Sequence, residues 1–365
     1  MKRIWIGLST PVLLLLGAWY MWPTLPPLVE GPLDLEPVFE SKIRGLSWER
    51  KDSVQISHLQ TIQAVHANWM AHTPFGWQYA ENTPEIAFRH RRDRNGRRER
   101  ELVRTAKLAR SLGIKSMLKP HIWIRRPNEG KWRSDIDMQS PEDWEKWFAD
   151  YKAFILHYAQ IAEKHQFEAF CIGTELYIPS TQHEQEWREI IAAVREVYHG
   201  KITYAANFYL EYEGIQFWDA LDFIGVQAYF PLVERKDPSL KALKKAWEPH
   251  FRRLKLMAKK WQKPLVFTEV GYRSSMDAAI HPWEWEPRGE IPKEEISTKV
   301  QARCYQAMFE RFWGAEWMEG VFIWKWSREN YMSQEAGYRP RRTPSPVSFA
   351  PKAEAVKVLI KWFQP

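Results

Sequence analysis

Two glutamates stand where apolar runs end, and each directly follows a threonine. Glu175 lies in "FCIGTEL", and Glu269 lies further along the chain in "PLVFTEVGY". Two carboxyl groups brought to one place can act as a proton donor and a nucleophile, which is the chemistry that cleaves a glycosidic bond. The alternative is that each carboxylate forms a structural ion pair with an Arg or Lys side chain. The matched contexts of the two residues favour the chemical role.

The elements that would position these glutamates alternate along the chain from about residue 42. Amphipathic segments such as "EQEWREIIAAVREVYHG" separate eight short apolar ones, which are "KIRGLSWE", "HANWMAHTP", "SMLKPHIWI", "EAFCIGTEL", "KITYAANF", "FIGVQAYF", "PLVFTEVGY" and "GVFIWKW". Eight strands alternating with helices predict a (β/α)8 barrel rather than an open doubly wound sheet. No GxGxxG motif follows the first strand, which disfavours dinucleotide binding. In such barrels the catalytic groups lie at the carboxyl ends of the strands.

Further polar side chains are predicted to point to the same rim. Side chains alternate across a strand, so Lys119, His121 and Trp123 would share one face of the third strand. By the same rule, Gln227 and Tyr229 would share a face of the sixth strand. Lys119 and His121 are candidates for contacts with sugar hydroxyls, or alternatively for hydrogen bonds inside the barrel. Gln227 and Tyr229 are further candidates for binding the substrate.

Tryptophan is the outlier of the composition, with 21 in 365 residues. Flat apolar rings suit the C–H faces of sugars, although an aromatic-rich core is the alternative. Asn207 is a further candidate that would hold the sugar or a neighbouring side chain. Three tryptophans are candidates for stacking on a sugar ring: Trp77, Trp123 and Trp324. Three others lie in helical patterns and are expected to pack in the outer layer: Trp144, Trp147 and Trp187.

The combination of segments resembles glycoside hydrolase family 113. That family is a branch of the retaining (β/α)8 clan A that includes endo-β-mannanases. The resemblance covers roughly residues 42 to 330, and each motif taken alone is weak. The segments that carry it are "ANWMAHTPFGW", "MLKPHIWI", "DWEKWFADY", "FCIGTEL", "ITYAANF", "FIGVQAYFPL", "PLVFTEVGYRS" and "FIWKW".

The resemblance implies roles for individual residues. Glu175 would be the general acid/base and Glu269 the nucleophile, which Tyr229 would orient. Trp324 would stack beneath the sugar at the cleaved bond. The chain departs from the expected pattern at His121, where Gln is common, and at Gln227, where Asp is expected. Thr174 precedes the acid/base where many clan A enzymes have Asn. The first two departures put the identity of the sugar and the rate in question more than the fold.

The amino terminus predicts export. Basic residues in "MKR" precede a stretch without charge from Ile4 to Trp22, which is near the length that spans a bilayer. We expect residues 1–22 to be an uncleaved membrane anchor or a removed signal peptide, residues 23–41 a Pro-rich linker, and residues 42–365 the catalytic domain. The protein would then lie outside the cytoplasm, anchored in the cell envelope or secreted.

The remaining features argue against other function classes. The net charge of +8 owes much to the run at residues 89–104, which acidic residues interrupt. We therefore expect a solvated loop and helix start there and no nucleic-acid binding, with an anionic polymer or lipid surface as the alternative. Cys171 and Cys304 are expected to be small buried thiols. No CxxC or HExxH motif indicates a metal site, and no cofactor is expected.

Together these observations predict a monomeric retaining glycoside hydrolase that cleaves a β-linked polysaccharide, most simply mannan or glucomannan. Two alternatives remain open at the level of sequence. The same pair of glutamates would serve a glycosidase or transglycosylase acting on another β-glycan. A catalytically degenerate carbohydrate-binding protein of the cell envelope would keep the fold without the turnover.

Overall fold

The computed structural model describes residues 31, 33, 35–49, 54–88, 96–285, 290–327, 330 and 345–365. Its strands are β1 (Ile43–Trp48), β2 (Trp69–His72), β3 (Phe75–Gln78), β4 (Ile86–Ala87), β5 (Lys115–Leu118), β6 (His121–Ile124), β7 (Ala169–Thr174), β8 (Lys201–Asn207), β9 (Ile224–Gln227), β10 (Leu265–Val270) and β11 (Met318–Trp326). Eight of them form a closed parallel barrel in the order β1-β11-β10-β9-β8-β7-β5-β2, and β2 pairs with β1 to complete the ring. The (β/α)8 barrel expected from the sequence is therefore confirmed.

Helices surround the barrel and connect its strands. They are α1 (Ile56–Gln63), α2 (Arg97–Ser111), α3 (Pro141–Lys164), α4 (Tyr177–Gln182), α5 (Glu184–Val197), α6 (Glu211–Gly214), α7 (Leu240–Trp261), α8 (Thr298–Phe312) and α9 (Ala353–Phe363). The long ones begin where their sequences provide caps: Ser140 accepts a hydrogen bond from the amide of Asp143, and Ser239 accepts one from Ala242. The buried face of α3 includes Trp147, which packs in the outer layer as expected.

The third predicted strand is wrong in one respect, because it forms two strands in different sheets. β5 ends at Leu118, and β6 pairs in parallel with β3 in a small sheet of order β4-β3-β6 beside the barrel mouth. Pro120 lies between them and has no N–H to donate to a ladder, so the chain changes sheet there. Lys119 and His121 therefore do not share the face of one strand.

The last residues of the predicted linker pack against the barrel. The ring of Phe39 lies 4.9 Å from that of Trp69 and 5.5 Å from that of Phe223, centroid to centroid. The amide of Val38 donates to Oε1 of Glu319 over 2.8 Å. These partners lie at the amino ends of the strands, so the segment around Phe39 closes the end of the barrel opposite the cleft.

The predicted anchor, residues 1–22, lies outside the described residues, as do positions 23–30, 32 and 34 of the predicted linker. Within the part of the chain that the structure describes, no helix is long and apolar enough to cross a membrane.

Candidate active site

A cavity of about 2050 Å³ opens at the carboxyl ends of the barrel strands. Both glutamates line it, although each is nearly buried, with 7% of Glu175 and 3% of Glu269 exposed. Glu175 directly follows β7, and Glu269 lies near the end of β10. The other predicted site residues that line this cleft are Trp77, His121, Trp123, Asn207, Tyr229 and Trp324.

Glu269 is held by two donors, one to each carboxylate oxygen. Nζ of Lys119 lies 2.5 Å from Oε1, and the hydroxyl of Tyr229 donates to Oε2 over 2.8 Å. Burial, with the neighbouring Glu269 charge adding to it, raises the pKa of Tyr229 well above its ordinary value, so the phenol keeps its proton and donates. Both contacts stabilise a carboxylate fixed in one orientation, which is what a nucleophile requires.

Lys119 and Gln227 lie inside the barrel, which for Lys119 is the alternative to a sugar contact that the sequence left open. Both side chains are completely buried and neither lines the cleft. Lys119 also donates to the carbonyl of Thr268 over 3.0 Å, and Oε1 of Gln227 accepts from the Thr268 hydroxyl over 3.1 Å. The two side chains therefore form the support beneath Glu269 rather than a surface for substrate.

Glu175 is paired with Arg133, which lies in the connection between β6 and α3. Nε and Nη2 of Arg133 donate to Oε2 of Glu175 over 3.0 and 2.7 Å. Oε1 of Glu175 has no hydrogen-bond partner among the described residues. The backbone of Glu175 is left-handed, with φ of +53°, a conformation that residues other than glycine rarely adopt and that costs about 1–3 kcal/mol. The strained backbone thus belongs to a residue that lines the cleft.

Each glutamate thus has a cationic partner, as the ion-pair alternative required. The two ion pairs are not separate, however, because His121 lies between them. Nη1 of Arg133 donates to Nδ1 of His121 over 3.3 Å, and Nε2 of His121 lies 3.8 Å from Oε1 of Glu269. The His121 imidazole therefore contacts Arg133, the partner of Glu175, and lies beside Glu269.

The charge state of His121 follows from its surroundings. Burial lowers the pKa of His121 well below its ordinary value, and the nearby charges of Arg133 and Lys119 lower it further. A guanidinium only donates hydrogen bonds, so Nδ1 must accept and the proton of the neutral ring sits on Nε2. That Nε2–H is buried without a hydrogen-bond partner beside Glu269, in a side chain that lines the cleft.

Aromatic side chains line the mouth of the cleft. Trp123 contacts Trp132 and Trp285 edge to face, with centroid distances of 5.4 and 6.1 Å. Trp77 carries the guanidinium of Arg98 at 5.3 Å from its ring centroid. Trp324 is half-buried, lies near the end of β11 and also lines the cleft. These rings offer apolar faces in the same cleft as the glutamates.

Sequence reasoning missed three residues that organise the site: Arg133, Tyr204 and Glu211. Arg133 lies in the connection between β6 and α3, where the sequence has no periodic pattern. Only its basic side chain could have marked it as a partner for a carboxylate. Glu211 and Tyr204 form a buried hydrogen bond beneath Glu175, with 2.5 Å between the phenol oxygen and Oε1. A carboxylate in the short segment "FYLEYEG" looks like a surface residue until the structure places it inside.

The remaining predictions about the site concern metals and thiols. No cluster of His, Cys, Asp and Glu in the described ranges could hold a metal ion. Cys171 and Cys304 are both free and completely buried, as predicted, and burial raises the pKa of Cys171 to about 11. Thiolate chemistry is therefore not available at Cys171 near neutral pH.

The chain matches the sequence profile of glycoside hydrolase family 113 over residues 41–341. It belongs to glycoside hydrolase family 113. A β-1,4-mannanase structure of this family is 27% identical, covers 89% of this chain and 99% of its own, and superposes with a TM-score of 0.72. The family 113 β-mannanase from Alicyclobacillus acidocaldarius is 27% identical over 90% of this chain and 99% of its own, with a TM-score of 0.70.

More distant structures share only the fold with this family 113 chain. A β-glucuronidase from Ruminococcus gnavus is 14% identical over 88% of this chain and 50% of its own, with a TM-score of 0.57. None of the curated proteins compared with the chain matches it. Family membership and the mannanase neighbours make the protein a glycoside hydrolase.

Proposed function

We propose that the protein is a retaining glycoside hydrolase that cleaves β-1,4-linked mannan or glucomannan by double displacement. The observation that carries the mechanism is the pair of glutamates in one cleft with different partners. Glu269 is fixed at both oxygens by Lys119 and Tyr229, whereas Glu175 has Arg133 at one oxygen only. The substrate class is supported by the family 113 β-mannanases that the chain resembles in sequence and fold.

In the first step, a carboxylate oxygen of Glu269 attacks the anomeric carbon, and the bond to the leaving sugar breaks. Glu175 gives its proton to the leaving oxygen at the same time, which leaves a glycosyl ester on Glu269. In the second step, Glu175 takes a proton from water, the water oxygen attacks the anomeric carbon, and Glu269 is released. The anomeric configuration is inverted twice and therefore retained.

The contact with Arg133 is compatible with both states of Glu175. Both hydrogen bonds go to Oε2, so the proton of the acid form can sit on Oε1 while Oε2 still accepts from the guanidinium. After the first step, the same guanidinium faces a full carboxylate and stabilises the base. One side chain can thus support donation and then acceptance without moving.

His121 and Trp324 are proposed to contact the sugar at the reacting centre. The unpartnered Nε2–H of His121 lies beside Glu269, where the hydroxyl next to the anomeric carbon must come when that carbon meets the nucleophile. Hydrogen bonds to this 2-hydroxyl strengthen in the transition state of retaining enzymes. Trp324 would lie against the ring, where an electron-rich face attracts developing positive charge. Trp77, Trp123 and Asn207 would bind more of the chain along the cleft.

The test is release of reducing ends from mannan, glucomannan, cellulose and xylan by wild type and variants. Glu269→Ala should lower turnover to about 1/1,000 or less, and added azide should restore product as the glycosyl azide of inverted configuration. Glu175→Ala should slow natural mannan about 10²–10⁴-fold because proton donation to a poor leaving group is lost.

The matched control is Glu213→Ala, because Glu213 pairs with the buried Arg253 outside the cleft. It loses an ion pair with a buried cation and should keep its turnover. Normal activity of Glu269→Ala on mannan would contradict the nucleophile assignment. Wild-type protein that binds mannan but releases no reducing ends would identify the binding-only alternative, and release from another glycan alone would replace the substrate.

We also propose that residues 1–22 direct the protein out of the cytoplasm, as an anchor in the cell envelope or as a cleaved signal. A hydrolase that acts on a polysaccharide too large to enter the cell needs such a location. The charge-free stretch after "MKR" supports this proposal.

A further inference from the structure

Beneath Glu175, on the side away from the cleft, lies a buried carboxyl group that the reaction does not use directly. Glu211 opens α6 and is completely buried. Its Oε1 accepts from the hydroxyls of Tyr204 over 2.5 Å and Ser180 over 2.8 Å, and its Oε2 accepts from the amide of Asn207 over 2.6 Å. Two elements therefore share one carboxyl group: β8, through Tyr204 and Asn207, and α4, through Ser180.

The group connects to the acid/base through one hydroxyl. The oxygen of Tyr204 donates to Glu211 and accepts from the amide of Leu176 over 2.8 Å. Leu176 directly follows Glu175, whose left-handed backbone turns the chain out of β7. The amide of Glu175 itself donates to the carbonyl of Ala205 over 3.0 Å. The turn is thus fixed from below at two successive amides, and the second of them depends on Tyr204.

Packing leaves the Tyr204 hydroxyl little freedom to move. A Cβ atom on Gly173 would lie only 2.5 Å from Cε2 of Tyr204 and 2.8 Å from Cη2 of Trp187. The absence of a side chain at Gly173 is therefore what admits the Tyr204 ring directly against β7, two residues before Glu175. Trp187 meets Tyr204 edge to face with a centroid distance of 5.2 Å.

A carboxyl group in this place is unfavourable for stability alone. Burial raises the pKa of Glu211 to about 7, and the charge of Glu175 adds to the effect while the three hydrogen bonds oppose it. An apolar residue of similar size would avoid that penalty. Leu210, just before it, also has a left-handed backbone with φ of +58°. Two strained residues and a buried carboxyl group converge on one point, and strain of this kind concentrates where function requires it.

We propose that Glu211 is a positioning residue for the acid/base, which it holds through the Tyr204 hydroxyl and the Leu176 amide. The inference rests on the proposed role of Glu175. Glu211 orients the hydroxyl, the hydroxyl fixes the amide, and the amide fixes the turn that aims the Glu175 carboxyl group at the leaving oxygen. Loss of the hydroxyl should therefore weaken proton donation while the nucleophile stays in place.

The test compares two substrates in the same protein samples. Tyr204→Phe keeps the ring against Gly173 and removes only the hydroxyl. The kcat/KM values are measured for mannooligosaccharides, whose leaving group needs a proton, and for dinitrophenyl β-mannobioside, whose leaving group does not. We expect kcat/KM to fall about 10–100-fold for the first substrate and less than about threefold for the second. Glu211→Gln should shift the ratio in the same direction, and it carries the comparison if Tyr204→Phe does not fold.

The ratio of the two values is independent of how much protein is folded, so a merely structural role would leave it unchanged. The control is Tyr198→Phe, which removes another buried hydroxyl, one that donates to the carbonyl of Phe167 over 2.8 Å far from Glu175. It should lower thermal stability without altering the ratio. An unaltered ratio in Tyr204→Phe and Glu211→Gln, with a large change in Glu175→Ala, would overturn the inference and leave the proposed function intact. An unaltered ratio in Glu175→Ala would instead remove the proposed role of Glu175, and the inference with it.

Discussion

Lys119 shows how a residue below the cleft determines what a residue in the cleft can do. Its ammonium group is completely buried and meets Glu269, the Thr268 carbonyl and Gln227. Removing Glu269 would leave this cation without its anion, and breaking a buried pair costs about 3–5 kcal/mol. The Glu269 variants should therefore be compared per folded molecule, and Glu269→Gln belongs beside Glu269→Ala because it keeps the volume and polarity.

His121 gives a prediction at the scale of a single hydrogen bond. His121→Ala removes the Nε2–H beside Glu269 and should lower kcat/KM on mannooligosaccharides by about 5–150-fold, equivalent to 1–3 kcal/mol of transition-state stabilisation. His121→Gln keeps a donor and should recover part of the loss. The measurement is repeated with a substrate lacking the 2-hydroxyl at the reacting sugar. An equal loss from His121→Ala on both substrates would show that the imidazole does not contact that hydroxyl.

At the scale of elements, the barrel strands were predictable because each is an apolar run of ordinary strand length between amphipathic helices. Glu175 and Glu269 were predictable for the same reason, since a carboxylate at the end of such a run is conspicuous. Lys119 was visible, but its placement on one strand face with His121 was wrong, because the break at Pro120 changes which side chains share a face. Arg133 could not be found, since no local pattern tells which cation in a connection will pair with Glu175.

Two tryptophans near the end of β11 allow substrate binding to be separated from packing. Trp324 lines the cleft, whereas Trp326 is buried two residues further along and donates to the hydroxyl of Thr61 over 3.0 Å. Trp324→Ala should lower kcat by one to three orders of magnitude, about 1.4–4 kcal/mol, because stacking favours the charged transition state. Trp324→Phe should recover part of the loss because it keeps a flat apolar face.

Trp326→Ala is the matched control for the Trp324 variants. It should lower the melting temperature by removing about 3–5 kcal/mol of packing, while each folded molecule keeps its turnover. Thermal melting and turnover are therefore measured on the same samples. A large fall in melting temperature with unchanged kcat in Trp324→Ala would make Trp324 a packing residue.

At the scale of the whole molecule, one end of the barrel forms the cleft and the other end is closed by packing. The carboxyl ends of the strands hold the cleft with its charged and aromatic groups, as expected for this fold. The amino ends bury an apolar layer that includes Ile43, Trp69 and Phe223, and Val38 and Phe39 pack against that layer. Residues 23–41 were expected to form a linker because they are rich in proline, and composition alone does not show which of them packs against the barrel.

This arrangement predicts different behaviour for chains that begin at different residues. A chain beginning at Glu36 keeps Val38 and Phe39, so it should be soluble and fully active, although it loses the packing of Leu33 and Leu35 against the core. A chain beginning at Lys42 exposes the apolar layer and loses the contact between Val38 and Glu319. Its melting temperature should fall by several degrees, because removing the partly buried Phe39 and Val38 side chains costs about 2–4 kcal/mol, while kcat/KM per folded molecule is unchanged at the distant cleft. Phe39→Ala in the longer chain should reproduce about half of that fall.

The full-length protein provides the remaining comparison. We expect it to sediment with membranes through residues 4–22, or to appear in the medium with a new amino terminus beyond Trp22 if the segment is a cleaved signal. In both cases the mature protein should retain Val38 and Phe39, because their contacts stabilise the barrel. A mature amino terminus at or beyond Lys42, or equal melting temperatures for the chains beginning at Glu36 and Lys42, would show that the barrel does not need this closure. The boundary between linker and enzyme would then return to residue 42.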